Sequence, residues 1–388
     1  MKNFLRTIFL LFLTFSTLEV NAITIVNAGV SFSGDASGDG QNSIAKRFPY
    51  TSKLYEEKDA QNPNLSKLNK ILVDKLKKDY KGMYKMEFDN LMRTKDDVLS
   101  LAFVLNFEEV FESKSEMHNV YRIEVLVGVD AIFFDFKTKK IVASYPIMLS
   151  VSDLLETKPS EANIYKMFAK MFGDSPYYLN KVNGNIFDLF IGKLNIINLA
   201  SANNISIGVK NVVLEAEAKS NILKLNLGDE EGSKKILANM FNSKISSKFN
   251  IPLMPYTNGA PVFVNMANSY MESSDLMQIV LEVPDPTYEI SLIFEKLMSK
   301  KTKEKQGMGI YFFGAFGYVG MNIKGSSKQA INRFKNGFSK TYVLGQEHNW
   351  SFNADYMTAL LMFFDVIPND ILKKSENKEL LTILNKCK

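Results

Sequence analysis

The polar and apolar positions of this chain alternate between two periods, and the order of those periods predicts its elements. Leu65, Leu68, Ile71, Leu72, Leu76 and Tyr80 recur at i, i+3, i+4 spacing with lysines between them, which predicts a helix over 65–81, with Asn64 placed to cap it and Gly82 to stop it. Period two follows. Leu99, Leu101, Phe103, Leu105 and Phe107 alternate with smaller or polar residues. After a polar turn over 113–119, Tyr121, Ile123, Val125, Val127, Val129, Ala131 and Phe133 alternate again, with Arg122, Glu124 and Asp130 on the other side. This is the pattern of half-buried antiparallel strands with one solvated face. A turn over 135–140 leads into a further strand, 141–149. Pro159 and Ser160 then open a helix carrying Ile164, Phe168, Met171 and Phe172, closed by Gly173.

The second half repeats this order. A turn-rich approach, 174–185, precedes a helix over 186–199 and a strand over 205–214. A helix over 233–249 places Ile236, Leu237, Met240, Phe241, Ile245 and Phe249 on one face, and its end echoes the pattern of 72–80. Strands follow at 277–283 and 288–297, then a charged turn at 299–306, the apolar run Ile310–Ile323, a helix over 329–338, and helical stretches at 352–366 and 370–385. The predicted fold class is α+β, antiparallel sheets backed by amphipathic helices in two similar domains, 65–185 and 200–388. A Gly-, Ser- and Asp-rich extended segment, 23–64, precedes them.

The first 22 residues read differently. Lys2 and Arg6 precede an apolar stretch, 7–15, and Val20-Asn21-Ala22 offers small residues where a signal peptidase cuts, so a cleavable leader ending at Ala22 is expected. No other apolar run reaches the ~18 residues of a membrane-spanning helix. The sequons at Asn64, Asn204 and Asn349 carry no weight in a chain this rich in Asn.

Composition narrows the chemistry. Of 388 residues, 46% are hydrophobic and 23% charged, a globular balance. A net charge of +5, carried by lysines with only five arginines, argues against a nucleic-acid partner. A single cysteine, Cys387, excludes an internal disulfide framework and a Cys-based zinc site, and two histidines, His118 and His348, leave little for His-based chemistry.

Four patterns invite chemistry. Asp35–Gly40 spaces its oxygens like the first half of an EF-hand loop, but Lys46 stands where the bidentate Glu belongs. The glycines from Gly307 to Gly320 lack a dinucleotide or Walker spacing and sit among Phe and Tyr, where glycine serves close packing or a bulge. Glu108, Glu109 and Glu112 lie toward a strand end and read as solvent-facing. No Gly-x-Ser-x-Gly elbow accompanies either histidine, although His348, beside Trp350, is the better placed of the two. Met167, Met171, Met240, Met357 and Met362 fall on apolar helix faces and read as core. Around Tyr311–Tyr318 both strand faces are apolar, so a buried central strand is expected rather than a docking surface.

The sequence therefore assigns no catalytic, metal or cofactor-binding residue and no cofactor. The function it leaves is that of a non-enzymatic exported, periplasmic protein that binds or scaffolds cell-envelope components, with an envelope protein or a peptidoglycan-associated partner. The alternatives are an envelope hydrolase using carboxylates and His348, or a carrier of an apolar ligand.

Overall fold

The structure is a computed structural model that describes residues 23–33, 43–63, 65–88, 98–115, 120–173, 177–179, 182–199, 206–257, 262–267, 276–326, 329–344 and 352–387. The predicted leader, the Asp35–Gly40 loop and both histidines lie outside the described residues.

The first sheet is built on three long strands, β3 (Val98–Ser115), β4 (Val120–Asp135) and β5 (Ile141–Leu155), paired antiparallel in sequence order. Its fourth strand is β1 (Thr24–Ser33), which lies parallel to β3. A parallel neighbour needs a crossover, and α1 (Ile44–Arg47), α2 (Thr51–Glu56) and α3 (Lys67–Asp79) supply it. The sheet is therefore mixed, a correction to the all-antiparallel expectation, and the segment 23–64 holds a buried strand and two short helices rather than loop alone. β1 bulges between Asn27 and Gly29, where Gly29 takes φ +83°, and the Val30 N–H is met by the Asn69 side chain of α3 at 2.7 Å. Short β2 (Lys85–Glu87) also pairs with β1. Beyond the first sheet, α4 (Glu161–Phe172) and α5 (Ile186–Leu194) each begin with a capping box, on Ser160 with Asn163 and on Asn185 with Asp188. A small hairpin, β6 (Tyr177–Leu179) with β7 (Val182–Gly184), lies between these helices in sequence.

The second sheet repeats the plan. β8 (Ile207–Leu214) is followed by α6 (Ala216–Leu223) and α7 (Glu230–Phe249) and lies parallel to β11 (Tyr288–Lys305), which continues antiparallel through β12 (Met308–Ile323) to β13 (Gln329–Val343). Helices α8 (Asn353–Lys373) and α9 (Lys378–Lys386) follow. The strand orders β1-β3-β4-β5 and β8-β11-β12-β13 thus share direction and connection. One insertion breaks the symmetry. β9 (Val262–Ala267) and β10 (Leu276–Leu281) leave the second half and join the first sheet beside β1.

Two sequence expectations fail in this region. The lysine-rich stretch 299–306 belongs mostly to β11; the reversal is confined to Gln306 (φ 51°) and Gly307 (φ 74°), the positive-φ pair of a two-residue hairpin turn. Residues 329–338, expected as a helix, form most of β13. Ala330, Phe334 and Phe338 are spaced by four, which fits both periods, and residue-by-residue pairing with β12 decides for the strand.

The layers run from α3, α4 and α5, through the first sheet, then α7 and α8, to the second sheet. One core fills the first interface, with Phe103 against Phe172, Phe187 and Phe190. The larger core joins both sheets, since Phe107, Phe111 and Leu126 of the first pack with α7, α8 and the inner face of the second. α7 is buried around most of its circumference, as a helix between two layers must be. A small third core, with Ala102, Val104, Ile132 and Phe134, closes the other part of the first sheet's second face. The expected solvated face of β3 and β4 is therefore absent: Ser100, Glu124 and Asp130 are buried.

Candidate functional site

Burial of that second face draws ionisable groups together. Arg47, from the short α1, donates to the Asn106 carbonyl at 2.7 Å and to the Ser33 carbonyl, tying the end of β1 to the middle of β3. Burial lowers its pKa to about 10 and the Glu109 charge opposes that shift. Glu109 is raised to about 8 by burial and by the neighbouring Glu108 charge, against the pull of Arg47. Asp130 is raised to about 6 by burial, and Lys235 of α7 is lowered to about 7 for the same reason, with Arg47 adding to the shift and Asp130 opposing it. These groups form a polar seam between the first sheet and α7. Nothing in the sequence marked it beyond one Asp in an apolar strand, because the helix that buries it lies about a hundred residues away.

Glu108 corrects the solvent-facing reading. It is 6% exposed and its carboxylate accepts the backbone N–H groups of Tyr50 (2.7 Å) and Thr51 (2.9 Å) and the Thr51 hydroxyl (2.5 Å). Burial still outweighs these donors and lifts it to about 7. Consecutive strand residues point to opposite faces, so Glu108 and Glu109 do not converge as an acid–base pair across a cleft. Among the described residues, no group of three or more His, Cys, Asp or Glu side chains converges to hold a metal. Met167, Met171, Met240 and Met357 lie in the cores, as their spacing predicts; Met362 is half-buried.

A second polar knot sits on the inner face of the second sheet. Asp355, in the first turn of α8, is 1% exposed, accepts two bonds from Lys340 at 2.8 and 3.1 Å and another from the Tyr342 hydroxyl. Burial, then this carboxylate, pushes the Tyr342 phenol far up. Phe313 stacks on Phe338 and meets Phe352 and Tyr356 edge to face beside the knot, anchoring α8 to the sheet.

The outer face of the second sheet is unlike any other large face of the fold. Strand β12 is central and divides its residues strictly: Phe313, Ala315, Val319 and Met321 point into the core, and Phe312, Phe316 and Tyr318 point out, half-buried and outside all three cores. The burial expected of 310–323 holds for one side of the strand, while the other side carries half-buried rings outside the cores. Gly314 and Gly337 face one another across β12 and β13 and form a floor for the Phe312 ring; a Cβ at either would come within 2.6 Å of it. Cross-strand register sets polar neighbours around each ring. Lys296 and Lys335 flank Phe316, Lys300 and Ser339 flank Phe312, and Arg333 stands beside Tyr318 with its guanidinium 5.7 Å from the ring centre. Arg333 is held by Glu295 at 2.6 and 2.9 Å, and Lys296 pairs with Glu217 of α6 at 3.2 Å. Lys300 and Lys335 are exposed, and among the described residues no ion pair engages them.

No protein family matches the chain, and no curated protein matches it. A crystal structure of a minor lipoprotein from Acinetobacter baumannii aligns with 45% of this chain and 92% of its own, at 5% identity and a TM-score of 0.21. A likeness that low carries no argument about fold or function. Among the described residues no helix is long and apolar enough to cross a membrane.

Proposed function

We propose that this is an exported, periplasmic, non-enzymatic protein that binds or scaffolds a component of the cell envelope. The observation that carries the binding reading is the outer face of β11–β13, where aromatic rings and lysines stand in register toward solvent while both faces of the first sheet are covered. Support for export is the leader pattern, with its basic start, apolar stretch and Val20-Asn21-Ala22 end. The reading also covers organisation: the two halves are copies of one unit, strand, helices, three-stranded meander, helices, supported by the shared strand order.

The test is localisation. Residues 1–30 fused to a reporter active only outside the cytoplasm should give activity, the processed protein should begin at Ile23, and cell fractionation should place it with the envelope. Full-length protein beginning at Met1 and recovered from the cytosol would overturn the proposal.

A further inference from the structure

We propose that the outer face of β11–β13 is a platform for an anionic, carboxylated glycan strand, which names the ligand class of the binding reading above and rests on it. Three observations point to a polymer lying across a flat surface. The rings are spread along one strand, Phe312 to Phe316 over about 14 Å and Phe316 to Tyr318 over about 7 Å, from the rise of an extended chain. Gly314 and Gly337 leave room for the Phe312 ring close against the sheet, where a Cβ at either position would collide with it. Among the described residues the rings Phe312, Phe316 and Tyr318 pack into none of the cores.

Charge decides the class of polymer. The carboxylate of Glu295 is taken up by Arg333, and that of Glu217 is paired with Lys296, which leaves Lys300 and Lys335, with Lys303 in the same outward register, as the unmatched charge beside the rings. An aromatic face is electron-rich and complements the weakly positive C–H face of a pyranose ring, while lysines meet carboxylates on the same chain. A polynucleotide also stacks on rings. The one guanidinium on this face, that of Arg333, is already charge-paired, its Nη2 donating to both carboxylate oxygens of Glu295, and lysines, which lack the arginine fork, carry the remaining charge.

The experiment uses the purified full chain and co-sedimentation with isolated peptidoglycan, a glycan whose peptide stems carry free carboxylates. Chitohexaose serves as the neutral competitor and a 20-nucleotide oligodeoxythymidine as the nucleic-acid competitor. Binding should weaken with salt, should fall about tenfold or more in Phe316→Ala, and should fall about threefold in Lys335→Glu, with melting temperatures of both variants close to the unaltered protein. Lys335 is exposed, so its variant remains informative if Phe316→Ala folds poorly. The oligonucleotide should compete no better than chitohexaose. Binding unchanged in both variants, or oligodeoxythymidine competing more strongly than the glycan, would overturn the assignment. If the unaltered protein ignores peptidoglycan yet fractionates with the envelope, the glycan inference fails and the envelope reading stands. A cytosolic protein would end both.

Discussion

Replacing Ser100 by aspartate tests the most consequential feature of the fold, the burial of both faces of the first sheet. Ser100 points away from Phe103 and its aromatic neighbours, lies opposite Phe134 on β4 and Val26 on β1, and is fully buried. Its hydroxyl has no hydrogen-bond partner, so the site offers a carboxylate nothing to bind. To remain buried at pH 7 the new carboxyl must be protonated. Raising its pKa from about 3.9 to 7 or beyond costs about 4 kcal/mol at 1.36 kcal/mol per unit. Against a domain stability of about 5–15 kcal/mol, that is a severe loss. The sign of the pH dependence follows. A carboxyl whose pKa is raised on folding leaves stability intact below its unfolded pKa and removes it as pH rises, so Ser100→Asp should recover most of its loss between pH 7 and pH 4. Ser100→Ala, which removes an unpartnered hydroxyl, should be neutral or stabilising by up to about 1 kcal/mol. Ser339→Asp, on the exposed outer face of β13, should stay within about 0.5 kcal/mol. Urea unfolding followed by circular dichroism at pH 7 and pH 4 reads all three. Ser100→Asp within about 1 kcal/mol of the unaltered protein at pH 7, with no recovery in acid, would show that this face is wet and that the third core, with Met254, Ile279 and Leu281, does not close over it.

Phe103→Ala should cost about 3–5 kcal/mol by chemical denaturation, because it empties the centre of the Phe172, Phe187 and Phe190 cluster; a loss below 1 kcal/mol would contradict that packing. Glu109, raised to about 8, favours the folded state only while protonated, so its contribution is complete below pH 4.5 and lost as pH climbs to 8. Glu109→Gln should therefore melt higher than the unaltered protein at pH 8 and converge with it near pH 4.5, whereas parallel melting curves would refute the burial. Lys235 runs the other way: lowered to about 7, it binds fewer protons folded than unfolded between pH 7 and 10.5, so stability rises across that window. Lys235→Met should gain most at pH 6 and nothing by pH 10.5. Asp355→Ala should cost about 2–3 kcal/mol, since it strands the Tyr342 hydroxyl and Lys340 against a buried helix start; an unchanged unfolding midpoint would remove the knot from the list of anchors.

The sequence alone determined the local elements whose period is unambiguous. The stripe of Leu68, Leu72 and Leu76, the alternation of Leu101, Phe103 and Leu105, and the Ser160 start of α4 all express one apolar face, and a face is a local property. The order of elements in the second half was legible only as far as Ile323, because 329–338 read as a helix and is a strand. Tertiary structure decided what lies against each face. Of β1 only the β-like start, Ile23–Val26, was legible; its full length to Ser33 and its place in the sheet are set by the parallel partner β3. The polar side of β3 and β4 read as wet because Ser100, Glu124 and Asp130 are polar, yet α7, the third core and α8 cover it from far along the chain. β13 could be helix or strand until β12 lay beside it, since spacing by four satisfies both periods. The candidate site shows the same division: the Tyr311–Tyr318 sequence is apolar at every step but the glycines, and only the layering decides which rings are core and which face outward. Among the described residues helices cover one side of the second sheet and not the other, so burial there was set by the number of layers rather than by the composition of the strand.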